Sequence, residues 1–218
     1  MKKGLTELVF ILDRSGSMAG LESDTIGGFN GMLQKQKKEE GEAYITTVLF
    51  DDKYELLHDH LNITSVAMMD ERQYYVRGCT ALFDAMGRTI QKMVNIQKGT
   101  KEEEKAEKII FVIITDGLEN ASREYTCDRL RSMIKYQTDR YGWEFIFLGA
   151  NMDAVQEAAK FGIHEDRSVT FTNDSAGQIL NYDVISETVS RMRVESGRID
   201  GNWKARIERD YALRRKEG

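Results

Sequence analysis

The segment Asp13-Arg14-Ser15-Gly16-Ser17-Met18 follows directly on the apolar run Leu8-Val9-Phe10-Ile11-Leu12. A run of that kind reads as a buried strand. One carboxylate and two hydroxyls, at alternate positions, then leave its carboxyl end. Hard oxygen donors on one short turn suit Mg²⁺, Mn²⁺ or Ca²⁺ rather than zinc or copper. Two later segments carry matching chemistry: Gly78-Cys79-Thr80, ahead of a helical pattern, and Asp116, just past the apolar run Ile109–Ile114. Ligands of open α/β sheets sit outside the carboxyl ends of the strands. Taken singly, each of these residues is a common helix cap or turn former. Their joint occurrence at matching strand ends points to a cation site.

The elements that must position them alternate strand with helix. Strands are expected at 7–12, 44–50, 54–58, 109–114, 145–148 and 168–171, where β-branched, aromatic and other apolar residues dominate. Asp51-Asp52-Lys53 reads as a tight turn, which makes the second and third strands a hairpin and the third an antiparallel edge. Helical spacing predicts helices over 23–40, from Thr80 onward, over 126–141, 154–160 and 175–193, with Ser175 and Gln178 as a capping box for the last. Residues 99–108 read as a charged loop. The expected fold is α/β: a Rossmann-like, doubly wound, mainly parallel sheet of about six strands, one antiparallel edge strand, and helices on both faces. Residues 1–196 form that domain, and 197–218 form a basic C-terminal helical tail, read as a frayed amphipathic helix.

Composition limits the possible functions. The chain has 218 residues, 41% of them hydrophobic, enough for one sizeable core. A net charge of -5 speaks against nucleic-acid binding driven by phosphate contacts. No segment approaches the roughly 20 apolar residues of a membrane span, so no membrane association is expected. Cys79 and Cys127 are the two cysteines. They set no disulfide framework and read as reduced thiols of a cytoplasmic protein. Proline is absent, which argues against a Pro-rich linker. His58-x-His60 reads as a solvated strand end rather than a metal pair, because no third soft ligand lies nearby in sequence.

Asp13-x-Ser15-x-Ser17, then Thr80, then Asp116-Gly117 together resemble the metal-ion-dependent adhesion site (MIDAS) of von Willebrand factor A (VWA) domains, over about residues 5–195. The resemblance implies that Ser15, Ser17 and Thr80 touch the metal as hydroxyl ligands, and that Asp13 and Asp116 reach it directly or through water. One departure is local: Arg77-Gly78-Cys79 stands where the adhesion pattern doubles a glycine before the threonine.

The chemistry supports a binding role. Mg²⁺ wants six oxygens and dehydrates reluctantly. Three hydroxyls and two carboxylates leave that shell open to water or to an external carboxylate. The expected function is therefore non-enzymatic, a protein-binding module whose cation captures an acidic side chain of a partner protein. Two alternatives stand beside it. A Mg²⁺-dependent phosphoester hydrolase would need a general acid where Ser15 stands, or a Gly-Lys-Ser/Thr phosphate loop, and has neither. A structural module with a vestigial metal site would not be expected to keep all five ligand positions.

Overall fold

The computed structural model describes residues 1–194 and 199–217. The 196/197 division between domain and tail lies outside the described residues. Six strands form one sheet: β1 (Lys2–Asp13), β2 (Ala43–Phe50), β3 (Tyr54–Asn62), β4 (Ala106–Thr115), β5 (Glu144–Ala150) and β6 (Ser168–Phe171). Their order is β3-β2-β1-β4-β5-β6. Every neighbouring pair is parallel except β2 with β3, the hairpin edge.

Alternation along β1 explains how one strand serves two cores. Leu8, Phe10 and Leu12 enter the core on one face, and Val9 and Ile11 enter the core on the other. The first face is covered by α1 (Glu22–Gln36) and α5 (Ser175–Val194), which contribute Phe29, Leu33, Ile185 and Val189. The second is covered by α2 (Leu82–Gly99), α3 (Cys127–Tyr141) and α4 (Ala154–Lys160), through Met86, Ile90, Ile134 and Ala158. Strands buried on both sides need near-continuous apolar runs, which is what β1 and β4 have.

Several local expectations are corrected. β1 starts at Lys2 and β4 at Ala106, because Lys2 pairs with Ala106 beyond a register shift. That pairing recruits the last residues of the expected charged loop. β3 runs on to Asn62, past His58, with a register shift against β2 on each side of the Thr47–His58 pair. Helix α1 stops at Gln36 rather than at residue 40. The cap of α5 is Asp174, whose Oδ1 accepts the Gly177 N–H at 2.8 Å. Ser175 instead donates its hydroxyl to Asp24 of α1 at 2.6 Å. The basic tail forms a helix, α6 (Ala205–Glu217), and it is docked rather than frayed: Trp203 and Ile207 join the core under α1 and α5. The indole N–H of Trp203 donates to the Asp166 carbonyl at 2.8 Å.

Among the described residues no helix is long and apolar enough to cross a membrane.

Candidate metal centre

The strand order reverses direction between β1 and β4, and the crevice at their carboxyl ends is where such sheets bind ligands. Asp13 ends β1 and Asp116 follows β4 by one residue. The third contributor, Thr80, comes from the long irregular segment between β3 and α2. That segment is tied to β1: the Gly16 N–H donates to the Gly78 carbonyl at 3.2 Å, and the Arg77 N–H donates to the Arg14 carbonyl at 2.9 Å. Gly78 has φ +65°, a backbone conformation that favours glycine.

The hydroxyls are not spent on capping. Helix α2 opens at Leu82 behind Ala81, so Thr80 is not its cap. The first N–H groups of α2 are met from the loop after β4: Phe83 N–H donates to Glu119 at 2.8 Å and Asp84 N–H to the Ser122 hydroxyl at 3.0 Å. Asp84 in return accepts the backbone N–H groups of Arg123, Glu124 and Tyr125. Asn120 closes on Thr80 from both sides, accepting its N–H at 2.9 Å and donating its own N–H to its carbonyl at 3.0 Å. Ser15, before the short turn Gly16–Met18, makes no side-chain cap either.

The side chains converge. Ser17 donates its hydroxyl to Asp116 Oδ1 at 2.5 Å, and Ser15 Oγ lies 3.2 Å from Ser17 Oγ. A Cβ placed on Gly117 would meet Thr80 Oγ1 at 3.1 Å and Ser17 Oγ at 3.5 Å, so both hydroxyls face one small space that glycine leaves open. Asp13 Oδ1 accepts the Ser15 N–H at 2.7 Å, and Asp13 Oδ2 accepts the Thr115 hydroxyl at 2.6 Å. Each of those oxygens keeps a second lone pair. All five residues named from the sequence therefore stand around one crevice.

Its electrostatics favour a cation. Asp13, 2% exposed, has its carboxyl pushed up to about 6 by burial, against the opposing hydrogen bonds from Thr115 and Ser15. Burial also raises the Asp116 carboxyl, again against its hydrogen bonds. Among the described residues no lysine or arginine side chain hydrogen-bonds to either carboxylate. Arg14, inside the motif, turns away and gives its guanidinium to Asp51 and Glu55. Two buried carboxylates without an internal counter-charge, ringed by hydroxyls, fit a hard divalent ion. Among the described residues no group of three His, Cys, Asp or Glu is disposed to hold a metal, so this oxygen set, with its hydroxyls, is the candidate.

No protein-family model and no curated protein matches the sequence. Solved structures do match. The vWF domain of the type V pili tip protein Mfa5 from Porphyromonas gingivalis is 13% identical, with 89% of this chain and 98% of that chain covered and a TM-score of 0.66. This chain has the VWA fold. A von Willebrand factor type A protein from Catenulispora acidiphila is 13% identical over 85% of this chain and 42% of that one, with a TM-score of 0.58. Proximal thread matrix protein 1 from the mussel byssus, with a zinc-occupied MIDAS motif, is 14% identical over 85% of this chain and 46% of its own, also at 0.58. This chain spans less than half the length of the latter two.

Within the VWA fold, sequence reasoning missed the residues that hold the oxygen donors in place. Asn120 and Asn173 are single asparagines in loops, and Tyr74, which donates its hydroxyl to the Asp13 carbonyl at 2.6 Å, sits in a segment without periodicity. Asp51 is legible in the sequence only as part of the hairpin turn, not as the partner of Arg14 and Arg77. The two histidines set aside at the sequence level are separated by the β3 irregularity. His58 stacks on Phe29 of one core, and His60, at φ +49°, stacks on Tyr44, which packs against the other. They cannot share an ion.

Proposed function

We propose that this chain is a protein-binding module that depends on a divalent cation, with Asp13, Ser15, Ser17, Thr80 and Asp116 holding the ion and a carboxylate of a partner protein completing its shell. One observation carries the reading. Oxygens from three separate loops converge at the carboxyl ends of β1 and β4, around two buried carboxylates that lack a counter-charge. The three hydroxyls are neutral, weak donors and the set supplies five residues for a six-oxygen shell, so a bound ion would be left coordinatively open to a water or an external carboxylate. Ser15 and Ser17 bring their hydroxyl oxygens within 3.2 Å of each other beside Asp116, Thr80 is fixed by Asn120, and Asp13 holds the turn through the Ser15 N–H. The VWA fold supports the reading, as does the zinc-occupied MIDAS motif of the mussel protein. Magnesium is our first choice, with manganese or calcium next; the mussel precedent adds zinc to the ions worth testing. We place the module in the cytoplasm, a reading supported by the free thiols Cys79 and Cys127.

Thermal unfolding after EDTA treatment, with Mg²⁺, Mn²⁺, Ca²⁺ and Zn²⁺ titrated back, tests the site. At 100 Kd an ion adds about 2.7 kcal/mol, a rise of a few degrees in Tm for a chain of this size. Asp116→Ala and Ser17→Ala should each abolish the rise and leave the far-UV circular dichroism unchanged. No saturable rise with any of the four ions would overturn the metal reading.

A further inference from the structure

At the opposite end of the sheet, near the amino ends of β4 and β5, a cavity of about 770 Å³ opens between α2 and α3. Its floor is apolar, with Ile109 and the buried Trp143. One wall is a stripe of α3, Arg129-Met133-Tyr136-Arg140, at the i, i+4, i+7, i+11 spacing of a single helix face. Tyr136 is 56% exposed and meets the equally open Tyr141 edge to face at 5.8 Å. Exposed tyrosines beside arginines, over a buried tryptophan, are what the energetic centre of a protein interface is made of.

The rim is positive on a chain whose net charge is -5. Four cations line the cavity, Lys98, Lys105, Arg129 and Arg140, against two acids. Glu102 and Lys105 neutralise each other at 2.7 Å, and Glu107 accepts the Gly4 N–H at 2.7 Å, which leaves Lys98, Arg129 and Arg140 against Glu107 alone. Arg129 lies over the Tyr125 ring. Among the described residues neither Lys98 nor Arg140 has an ion-pair partner. Arg129 and Arg140 stand about 16 Å apart along α3, at 1.5 Å per residue, which is about three turns of a helix laid alongside.

We infer that the α2–α3 groove docks an acidic amphipathic helix of a partner protein, which lays apolar side chains on Ile109, Met133 and Trp143 and places carboxylates against Arg129 and Arg140. Charge complementarity carries the choice of occupant. This surface is independent of the metal reading, since it lies at the other end of the strands.

Fluorescence anisotropy with two synthetic helical peptides tests it, one with a leucine stripe flanked by glutamates and its twin flanked by lysines. The glutamate peptide should bind the full chain at least about tenfold more tightly, with a preference that shrinks as salt rises. The double variant Arg129→Glu, Arg140→Glu should reverse the preference with at most a small fall in Tm, from the lost contact of Arg129 with the Tyr125 ring, since both side chains are exposed. EDTA and Asp116→Ala should change nothing, which separates this surface from the metal crevice. The inference is overturned by failure of both peptides to bind, by equal affinity for the two, or by a preference that survives charge reversal. It is equally overturned if sodium dodecanoate binds the groove in place of the peptide, or if sedimentation shows a self-associated form that Tyr136→Ala dissolves.

Discussion

Asn173 donates its side-chain amide to Asp116 Oδ2 at 2.9 Å, joining the loop before α5 to the carboxylate that faces Ser17. The same asparagine accepts from the Gln178 amide at 3.1 Å, and Gln178 is wholly buried. Asp116 is thus oriented from two sides, with Oδ1 held by a serine at the crevice and Oδ2 held from the first turn of α5.

Replacing Asn173 should therefore weaken ion binding without touching a proposed ligand. Partners that orient metal ligands typically cost 10–100-fold in affinity when removed, so Asn173→Ala should raise the ion concentration at half-maximal Tm shift by about that factor. The metal-free variant should also lose about 1–3 kcal/mol, because the buried Gln178 amide loses its acceptor. An unchanged half-maximal ion concentration would show that Asp116 is oriented without Asn173.

Asp51 presents a different dependence. Its Oδ2 accepts Arg14 Nε at 3.0 Å and Arg77 Nε at 2.6 Å, and its Oδ1 accepts the Lys53 N–H at 2.7 Å. The Arg14 and Asp51 side chains are both fully buried. Asp51→Ala would strand the Arg14 charge with the half-exposed Glu55 and one carbonyl, a loss of about 3–5 kcal/mol in urea unfolding. Because the Ala81 N–H also donates to the Asp51 carbonyl, this turn braces the loops that carry Ser15 and Thr80. A loss below about 1 kcal/mol would mean that Glu55 alone neutralises Arg14.

These dependencies show what the sequence made legible. The strands were readable because burial on both faces of a parallel sheet forces continuous apolar runs, as in Ile109–Ile114. Asp13, Ser15, Ser17 and Asp116 were readable because they sit at or just past the ends of β1 and β4, where topology fixes their place, whereas Thr80, in the irregular segment before α2, was readable only through its match to the rest of the pattern. Asn120, Asn173 and Asp51 were not, since their roles arise from contacts across 26 to 57 residues that no local pattern encodes. The cap of α5 was misplaced by one residue for a related reason: Ser175 has a tertiary partner in Asp24, which leaves Asp174 to cap. The docking of α6 rests on Trp203 and Ile207, and although Trp203 stands out in the basic segment, no local pattern says that it packs into the chain's own core.

Overpacking between α1 and α5 gives a third expectation. A Cβ on Gly28 would come within 2.3 Å of the Tyr182 ring, and Tyr182 is 2% exposed. The ring has no room to retreat, so Gly28→Ala should destabilise by about 1–3 kcal/mol despite the better helix propensity of alanine. Thermal unfolding reads this directly. A stabilised Gly28→Ala would show that α5 can move away from α1 at little cost.

His58 and His60 should act on stability in opposite directions with pH. Burial lowers His58 to about 4, in a setting where its Nδ1 pairs with the Thr47 hydroxyl. The unfolded chain, near 6.5, then binds the proton more readily, so the His58 contribution is present above about 6.5 and is lost as pH falls toward 4. His60 is raised, chiefly by its hydrogen bond to Glu7 at 2.7 Å. Its contribution is full below about 6.5 and is lost as pH rises through its higher folded value. Half exposure and solvent screening keep that second effect small. Urea unfolding from pH 4 to 8 separates the two. His58→Gln should flatten the fall in stability below pH 6.5, and His60→Gln should remove the decline above it. Identical pH profiles for wild type and His58→Gln would place the acid sensitivity elsewhere, and outside the crevice, because Asp13 and Asp116, both raised by burial, bind protons more readily in the folded chain and act in the opposite sense.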